Sequence, residues 1–167
     1  TLGAATTTYG YDADDRLVSM VGGGLSTQYR LSEDGHRVQS ASIAGVTRFL
    51  VDAANESTYS QVLEERDGGG ALLARYAIGG EALAMTRGAS ASVFLTDPLG
   101  SVRGLVDAAG GLVDTYRYDG FGALESASGA TINPHRYRGE RVDETELVDL
   151  RARAYDPALG RFLTRDP

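Results

Sequence analysis

Hydrophobic and polar residues alternate along most of the chain in short runs that end at glycine- or aspartate-containing turns. Tyr116 and Tyr118 occupy alternate positions, which predicts that both rings lie on one face of a strand. Similar runs occupy residues 46–51, 72–78 and 93–96. No long window sustains the period of about 3.6 residues that an amphipathic helix requires, so the pattern allows at most one or two short helices, one of them around 142–147. It therefore predicts a mostly β protein.

One local pattern recurs at residues 9–18, 29–38 and 116–122. Each unit has aromatic residues on alternate positions, an acidic or glycine-rich turn, and then a basic and an aliphatic residue, which is typical of a β-hairpin. We expect the Asp-Gly pairs at 34–35 and 119–120 to form two-residue turns with positive φ. Hairpins with little core of their own indicate an array in which each unit packs against its neighbours. A β-sandwich is the alternative.

Composition and charge exclude several classes of function. The chain contains 22 Gly and 9 Tyr but no Cys, so it has neither disulfides nor thiolate metal sites. Its net charge of −7 argues against a nucleic-acid partner, because phosphate binding requires a basic surface. The apolar runs are too short to span a membrane. We accordingly expect no cofactor, no nucleic acid and no membrane span.

The remaining motifs that could bind a metal ion or a phosphate are better explained by structural roles. His36 and His135 are the two histidines, and each lies in a polar stretch, so we expect surface or hairpin residues and no metal site. The glycine triplets at 22–24 and 68–70 lack the helix and lysine of a phosphate loop and are expected to be flexible turns. The acidic residues within 12–15 lack the bidentate glutamate of a calcium loop, which indicates solvated turn charge.

The last third of the chain carries a more specific set of motifs. Residues 133–167 contain a Gly-Glu pair, a Leu-Arg-Ala-Arg run, a Tyr-Asp-Pro-x-x-Gly-Arg-Phe-Leu motif and a closing Asp-Pro. This region resembles the repeat-associated core of the Rhs, or tyrosine-aspartate (YD) repeat, family, found in Rhs polymorphic toxins and toxin-complex C proteins. The resemblance predicts YD-repeat hairpins over 1–90 and the Rhs repeat-associated core over 91–167. The matching core positions are Gly139, Glu140, Arg151, Arg153, Tyr155, Asp156, Pro157, Gly160, Arg161, Phe162, Asp166 and Pro167.

The resemblance implies a structural role in a secreted or cell-surface bacterial protein. Members of the family wind YD hairpins into a spiral, hollow β-shell that encloses a C-terminal toxic effector, and the core closes one end. Relatives also cut themselves just past the core and so release the effector. The partners implied are the other repeats of the same shell and an enclosed toxin domain. The resemblance implies that this chain is inactive by itself and that the intact protein is a self-cleaving aspartyl peptidase.

Asp166 is the residue that we expect to supply one half of the cleavage site, and its partner carboxylate would lie beyond residue 167. Two carboxylates that share a proton can act as base and acid toward a peptide bond. A hairpin through Gly160 would bring Asp156 toward Asp166, and Arg153 is the candidate charge partner of such a carboxylate. Turn formation is the alternative role for Asp156, because it precedes Pro157 in a sequence that favours a turn.

Two further hypotheses stay open. In the first, this chain is itself an active peptidase. In the second, it belongs to a cell-surface or filament-forming YD-repeat protein in which tyrosines such as Tyr116 and Tyr118 stack on glycans. Cross-strand packing is the role that we favour for those rings. Because an isolated array leaves strand edges unpaired, we also expect self-association through those edges.

Overall fold

The computed structural model describes residues 6–55 and 59–165, and within these ranges the chain forms two antiparallel sheets. The long sheet has twelve strands that pair in chain order, so each strand is hydrogen-bonded to the one before it and the one after it. Its strands are β1 Thr8–Tyr11, β2 Leu17–Gly22, β3 Leu25–Leu31, β4 Arg37–Ser42, β5 Gly45–Asp52, β6 Gln61–Asp67, β7 Leu72–Ile78, β8 Ala82–Arg87, β9 Ser90–Thr96, β10 Val102–Asp107, β11 Leu112–Tyr118 and β12 Leu124–Ser128. This order of hairpins confirms the mostly β array.

The second sheet is small and lies in the C-terminal part of the chain. Its four strands also pair in chain order. They are β13 Arg141–Val142, β14 Val148–Leu150, β15 Arg153–Asp156 and β16 Arg161–Phe162. We call residues 130–165, which contain this sheet, the cap.

A recurring aspartate explains why the hairpins close where they do. In the loop between β11 and β12, Oδ1 of Asp119 accepts the backbone N–H groups of Phe121 at 2.8 Å and Ala123 at 2.9 Å. The N–H of Asp119 in turn donates to the carbonyl of Ala123 at 3.0 Å. A short acidic side chain thus satisfies amides that a tight loop would leave unpaired. The same pair of side-chain hydrogen bonds is made by Asp12, Asp67, Asp97 and Asp107.

These loops are longer than the predicted two-residue turns. The loop at residues 119–123 places positive φ at Gly122, with φ 95°, and not at Gly120, so the predicted turn at 119–120 is wrong. The loop at residues 32–36 does use Gly35 at positive φ, as expected, but begins at Ser32. The added residues allow the side chain at the first position to cap the loop, which a two-residue turn cannot accommodate.

One face of the long sheet is buried. Tyr116 and Tyr118 are 6% and 8% exposed and lie on the same face, which confirms their predicted packing role and prevents these two rings from stacking on glycans. The largest group of buried residues on this face extends over five strands. Its members are Ala74, Tyr76, Ala82, Met85, Phe94, Val102, Leu105, Tyr116 and Tyr118.

The long sheet curves around the cap. Tyr155 donates its hydroxyl to the carbonyl of Phe121 at 2.8 Å, and Tyr11 donates to the carbonyl of Leu163 at 3.4 Å. Leu163 is hydrogen-bonded to Ala154, so both contacts come from one small hairpin of the cap. A flat sheet would separate β1 from the β11–β12 loop by about 50 Å, at about 4.8 Å per strand. The sheet must therefore bend until both of its ends reach the cap.

The helical content lies elsewhere than expected. In the described ranges the one helical element is a 3₁₀ turn at Tyr137–Gly139. Residues 142–147, predicted as a short helical segment, instead end β13 and form a turn in which Asp143 Oδ1 accepts the N–H of Thr145 at 2.9 Å. No helix within 6–55 and 59–165 is long and apolar enough to cross a membrane.

The order of the strands does not show where the YD-repeat hairpins end and the repeat-associated core begins. Residues 90–91 lie in β9, through which the long sheet continues, and the division into segments 1–90 and 91–167 stays a sequence-based prediction. Strands β1 and β12 are the two edges of the long sheet. Self-association through those edges stays a prediction as well.

Candidate functional site

The junction between cap and long sheet is built from arginine and carboxylate side chains. Glu65 in β6 lies at its centre and accepts hydrogen bonds from three groups. Its Oε1 lies 2.6 Å from Nη2 of Arg141, which is in the cap, and 2.8 Å from the hydroxyl of Tyr76. Its Oε2 lies 2.5 Å from Nη2 of Arg87. All 16 basic residues of the chain are arginines, whose planar group can bind several acceptors at once.

The electrostatics of this group favour a fixed ion pair. Burial alone would raise the pKa of Glu65, but the guanidinium groups of Arg141 and Arg87 outweigh burial and lower that pKa to about 2. Burial raises the pKa of Tyr76 to about 12, so its hydroxyl stays protonated and donates. Glu65 is therefore a charged docking point for the cap over the whole physiological pH range.

His135 lies beside this ion pair, and the prediction that it is a surface or hairpin residue is wrong. Its side chain was expected at the surface or in a hairpin, but it is 5% exposed and packs edge-on against Tyr76, with ring centroids 4.8 Å apart. Nδ1 lies 2.8 Å from the carbonyl of Gly139. Burial, and then the nearby charge of Arg141, lower the pKa of His135 to about 4. The imidazole is therefore neutral at pH 7.

A second arginine contact joins the cap to β4. Nη1 of Arg37 lies 3.0 Å from Asp143, and its Nε lies 3.2 Å from Asp149. The guanidinium also lies 3.8 Å from the ring centroid of Tyr29, whose hydroxyl donates to Asp143 at 2.7 Å. Burial, together with the charge of Asp143, raises the pKa of Tyr29. One arginine of the long sheet thus holds two carboxylates of the cap.

The Gly-Glu and Arg positions of the core motif form the third contact. Arg151 donates from Nη1 to Glu140 at 3.0 Å and from Nε to the carbonyl of Ser60 at 3.1 Å, which ties the cap to the β5–β6 connection. Burial raises the pKa of Glu140, the charge of Arg151 opposes that rise, and Asp149 adds to it. Gly139 has φ 71°, a conformation that glycine adopts without strain.

A cavity of about 210 Å³ lies between these contacts, at the junction of cap and long sheet. Its lining combines guanidinium, imidazole and carboxylate groups with aliphatic side chains such as Val62 and Ile78, so the cavity has both polar and apolar walls. Within the described residues, no cluster of three or more His, Asp or Glu side chains is placed to hold a metal ion. The polar residues that line the cavity include His36, Glu81, Arg138, Glu140, Asp149 and Arg151.

The hairpin that carries most of the core motif forms as expected. Strands β15 and β16 pair Asp156 with Arg161, and the chain reverses at Gly160 with φ 63°. Oδ1 of Asp156 accepts the backbone N–H groups of Ala158 at 2.9 Å and Leu159 at 3.2 Å. This is the hydrogen bonding of a turn-capping aspartate, and Pro157 is buried within the same turn.

Only two of the three residues proposed for self-cleavage, Arg153 and Asp156, belong to the described part of the chain. Arg153 lies with its guanidinium 3.7 Å from the ring centroid of Phe162, which in turn packs edge-on against Tyr155 at 5.5 Å. Asp166 and Pro167 lie outside the described residues. The catalytic assignment of Asp166, Asp156 and Arg153 therefore stays a prediction.

Sequence reasoning did not single out Glu65, Arg87 or Arg141. The available signal was the Glu-Glu pair at residues 64–65 within β6, because adjacent side chains of a strand point to opposite faces and a carboxylate on the buried face requires partners. Its partners Arg87 and Arg141 lie in β8 and in the cap. Because they are distant from Glu65 in sequence, no local pattern predicts the contact.

Comparison with known proteins assigns the chain to a family. The family model described as Teneurin YD-shell matches residues 44–167. The chain belongs to the YD-shell family. This confirms the Rhs/YD-repeat prediction, and the family description makes the chain a segment of a YD shell.

Curated relatives of the chain are much longer than it is. The tRNA3(Ser)-specific nuclease WapA of Bacillus spizizenii is 30% identical over 169 residues, which cover 96% of this chain and 7% of the relative. The double-stranded DNA deaminase toxin A of Burkholderia cenocepacia is 27% identical over 195 residues, which cover 97% of this chain and 14% of the relative. The chain thus spans a small part of each.

Solved structures share the fold. The crystal structure of TcdB2-TccC3-Cdc42 matches with a TM-score of 0.69 and 18% identity, over 96% of this chain and 9% of that chain. The crystal structure of TcdB2-TccC3 without hypervariable C-terminal region matches with a TM-score of 0.68 and 17% identity, again over 96% of this chain and 9% of that chain. At these identities the likeness concerns the fold alone.

Proposed function

We propose that this chain is the closing segment of a secreted bacterial toxin shell, in which the cap seals one end and a toxic effector follows in the continuation of the chain. The observation that carries the proposal is that the cap packs on the buried face of the curved long sheet, through Tyr29 and Glu65, and also contacts the loops at one end of its strands. Successive strands run in opposite directions, so every second loop lies at the same end. Residues in or next to the loops of that end contact the cap, among others through the pairs Tyr11–Leu163, Ser60–Arg151, Ser101–Arg138 and Phe121–Tyr155.

The names of the relatives support an effector elsewhere in the protein. WapA is called a tRNA nuclease and the Burkholderia relative a DNA deaminase toxin, yet the part of each that matches this chain is 7% and 14% of its length. The matched part is the YD shell, and an acidic chain is poorly suited to bind nucleic acid. The toxic activity of such a protein therefore belongs to a different segment, and this segment supplies enclosure.

Self-cleavage is the second part of the proposal, with Asp166 as one carboxylate of the site. The backbone is held at Leu163, three positions before Asp166: the N–H of Leu163 donates to the carbonyl of Ala154 at 2.9 Å, and its carbonyl accepts from Tyr11 at 3.4 Å. Asp156 already uses one oxygen for the turn, which favours the structural role for it.

Expression of the chain with its natural continuation tests this part of the proposal. The expected result is two fragments on a denaturing gel for the wild-type protein and one intact band for Asp166→Asn. Asp156→Asn is the matched control, because an asparagine oxygen can still accept the two turn hydrogen bonds. Cleavage should persist in that variant if Asp156 is structural. Persistent cleavage in Asp166→Asn would remove Asp166 from the site.

A further inference from the structure

The imidazole of His135 is enclosed between the cap and the long sheet. Its ring centroid lies 4.8 Å from that of Tyr76 in β7 and 5.8 Å from that of Phe94 in β9. The residue is 5% exposed. His135 belongs to the cap, while both aromatic partners belong to the long sheet. The imidazole is thus one of the surfaces by which the cap packs on the sheet.

The hydrogen bonds of His135 fix its protonation state. Nδ1 lies 2.8 Å from the carbonyl oxygen of Gly139, so Nδ1 carries the proton and donates it. Nε2 is fully buried and has no hydrogen-bond partner among the described residues. Protonation of Nε2 would create an N–H donor without an acceptor, and a buried unsatisfied donor is costly.

The charges around His135 also oppose a second proton. Residue 141 pairs with His135 across a β-bridge, and the guanidinium groups of Arg141 and Arg87 both converge on the single carboxylate of Glu65. Tyr76 presents a neutral hydroxyl, and Phe94 brings no charge. A protonated imidazole would add a third positive charge beside one carboxylate. Other titratable or charged groups along the junction are Arg136 and Arg138 on the same segment, and His36, Glu81 and Glu140 in the adjoining cavity.

We propose that His135 makes the attachment of the cap acid-sensitive, so that protonation of its imidazole releases the cap from the long sheet while the sheet itself stays folded. The twelve strands hold one another through their own hydrogen-bonded ladder, which does not involve His135. The chemical trigger is a proton, and the moving element is the cap. This device does not depend on the nature of any enclosed cargo.

The direction of the pH effect follows from the depressed pKa. His135 has a pKa of about 4 when the cap is attached, against 6.5 for a free histidine, so attachment is complete above pH 6.5 and weakens as the pH falls toward 4. At pH 5 the equilibrium for release is expected to rise about twentyfold over its value at pH 7. Glu65 keeps its charge in this range because its pKa is about 2. Glu140 has a raised pKa, so its protonation has the opposite effect and opposes release.

Hydrogen–deuterium exchange of the whole chain at pH 7 and pH 5 tests the proposal, with labelling times scaled to the intrinsic exchange rate. In the wild type, amides of residues 135–150 should lose at least tenfold protection at pH 5, while amides of β7–β9 keep theirs. His135→Gln, which cannot take up a proton, should abolish the loss. His36→Gln is the matched control and should leave it unchanged. Equal loss in His135→Gln, no loss in the wild type, or a parallel loss in β7–β9 would each overturn the proposal.

A second measurement covers the case in which His135→Gln does not fold. The pKa of both histidines can be followed in the wild-type chain by NMR of the imidazole resonances. We expect His135 to titrate below pH 5, together with a change in the resonances of the cap. Titration of His135 near pH 6.5 would overturn the proposal, because the attached cap would then place no penalty on its protonation.

Discussion

Nη2 of Arg141 in the cap lies 2.6 Å from Oε1 of Glu65 in the long sheet, although the two residues are 76 positions apart. This hydrogen bond joins the two sheets at a buried carboxylate of the junction. A buried ion pair adds little to stability compared with apolar residues of the same shape, but loss of one partner leaves the other charge buried and unpaired. The pair therefore specifies where the cap binds.

The first prediction concerns this pair. Glu65→Leu should lower the free energy of unfolding by about 3 to 5 kcal/mol, because it leaves the guanidinium groups of Arg141 and Arg87 without their carboxylate. Urea unfolding followed by circular dichroism measures the change. Arg117→Ala breaks the exposed pair between Arg117 and Glu125 and should cost less than about 1 kcal/mol. Similar losses in the two variants would contradict the docking role of Glu65.

The second prediction concerns the aspartates that close the loops. Asp119→Ala should cost about 1 to 2 kcal/mol, since the backbone N–H groups of Phe121 and Ala123 lose their acceptor. Asp119→Asn keeps an acceptor oxygen and should recover most of that loss. Asp34→Ala, at an exposed loop position, serves as the control and should be nearly neutral. An Asp119→Asn variant as unstable as Asp119→Ala would show that charge, and not capping, is what the loop requires.

The third prediction separates backbone strain from packing at two glycines. A Cβ at Gly122 would lie 2.5 Å from the ring of Tyr137, whereas at Gly110 it would meet no atom within 4 Å. Both residues have positive φ, at 95° and 84°. Gly110→Ala should therefore cost about 1 kcal/mol of backbone strain, and Gly122→Ala about 2 to 3 kcal/mol more. Thermal unfolding of both variants measures the difference, and equal losses would mean that the cap does not pack on this loop.

The fourth prediction concerns pH. Burial raises the pKa of Glu140, so its ionised form is disfavoured in the folded chain and its contribution to stability improves as the pH falls. Glu140→Gln removes this titration. The stability of Glu140→Gln relative to the wild type should thus be greatest near pH 7.5 and should decline toward pH 5, as measured by urea unfolding at each pH. A difference that does not change with pH would mean that the Glu140 carboxyl is not desolvated.

The hairpins could be predicted because their signals are local. Residues 72–78 were expected to form a strand and do so as β7, since the alternation of side chains and the turn residues beside it lie within the same short stretch. The hairpin through Gly160 was predicted for the same reason. The loop length at residues 119–123 was missed because an Asp-Gly pair suits a two-residue turn equally well, and the decisive hydrogen bonds to the side chain are not visible in the composition of the loop.

The junction could not be predicted from local sequence. His135 lies between polar residues, so nothing near it indicates burial, yet it is enclosed by aromatic rings from β7 and β9. Glu65 is likewise satisfied by arginines that lie 22 and 76 positions away. Both environments arise only when the sheet curves and the cap binds. The family resemblance indicated that the core closes one end, but not which side chains hold it there.

Protection of the downstream segment against protease in the intact parent protein measures whether the shell encloses that segment. We propose that the cap closes one end of the shell and that the segment following residue 167 lies inside. We predict that this segment stays uncut under conditions that digest it completely when it is expressed alone, and that it becomes sensitive when Glu65→Leu loosens the cap. Digestion of the downstream segment at the same rate in the intact protein and alone would contradict enclosure.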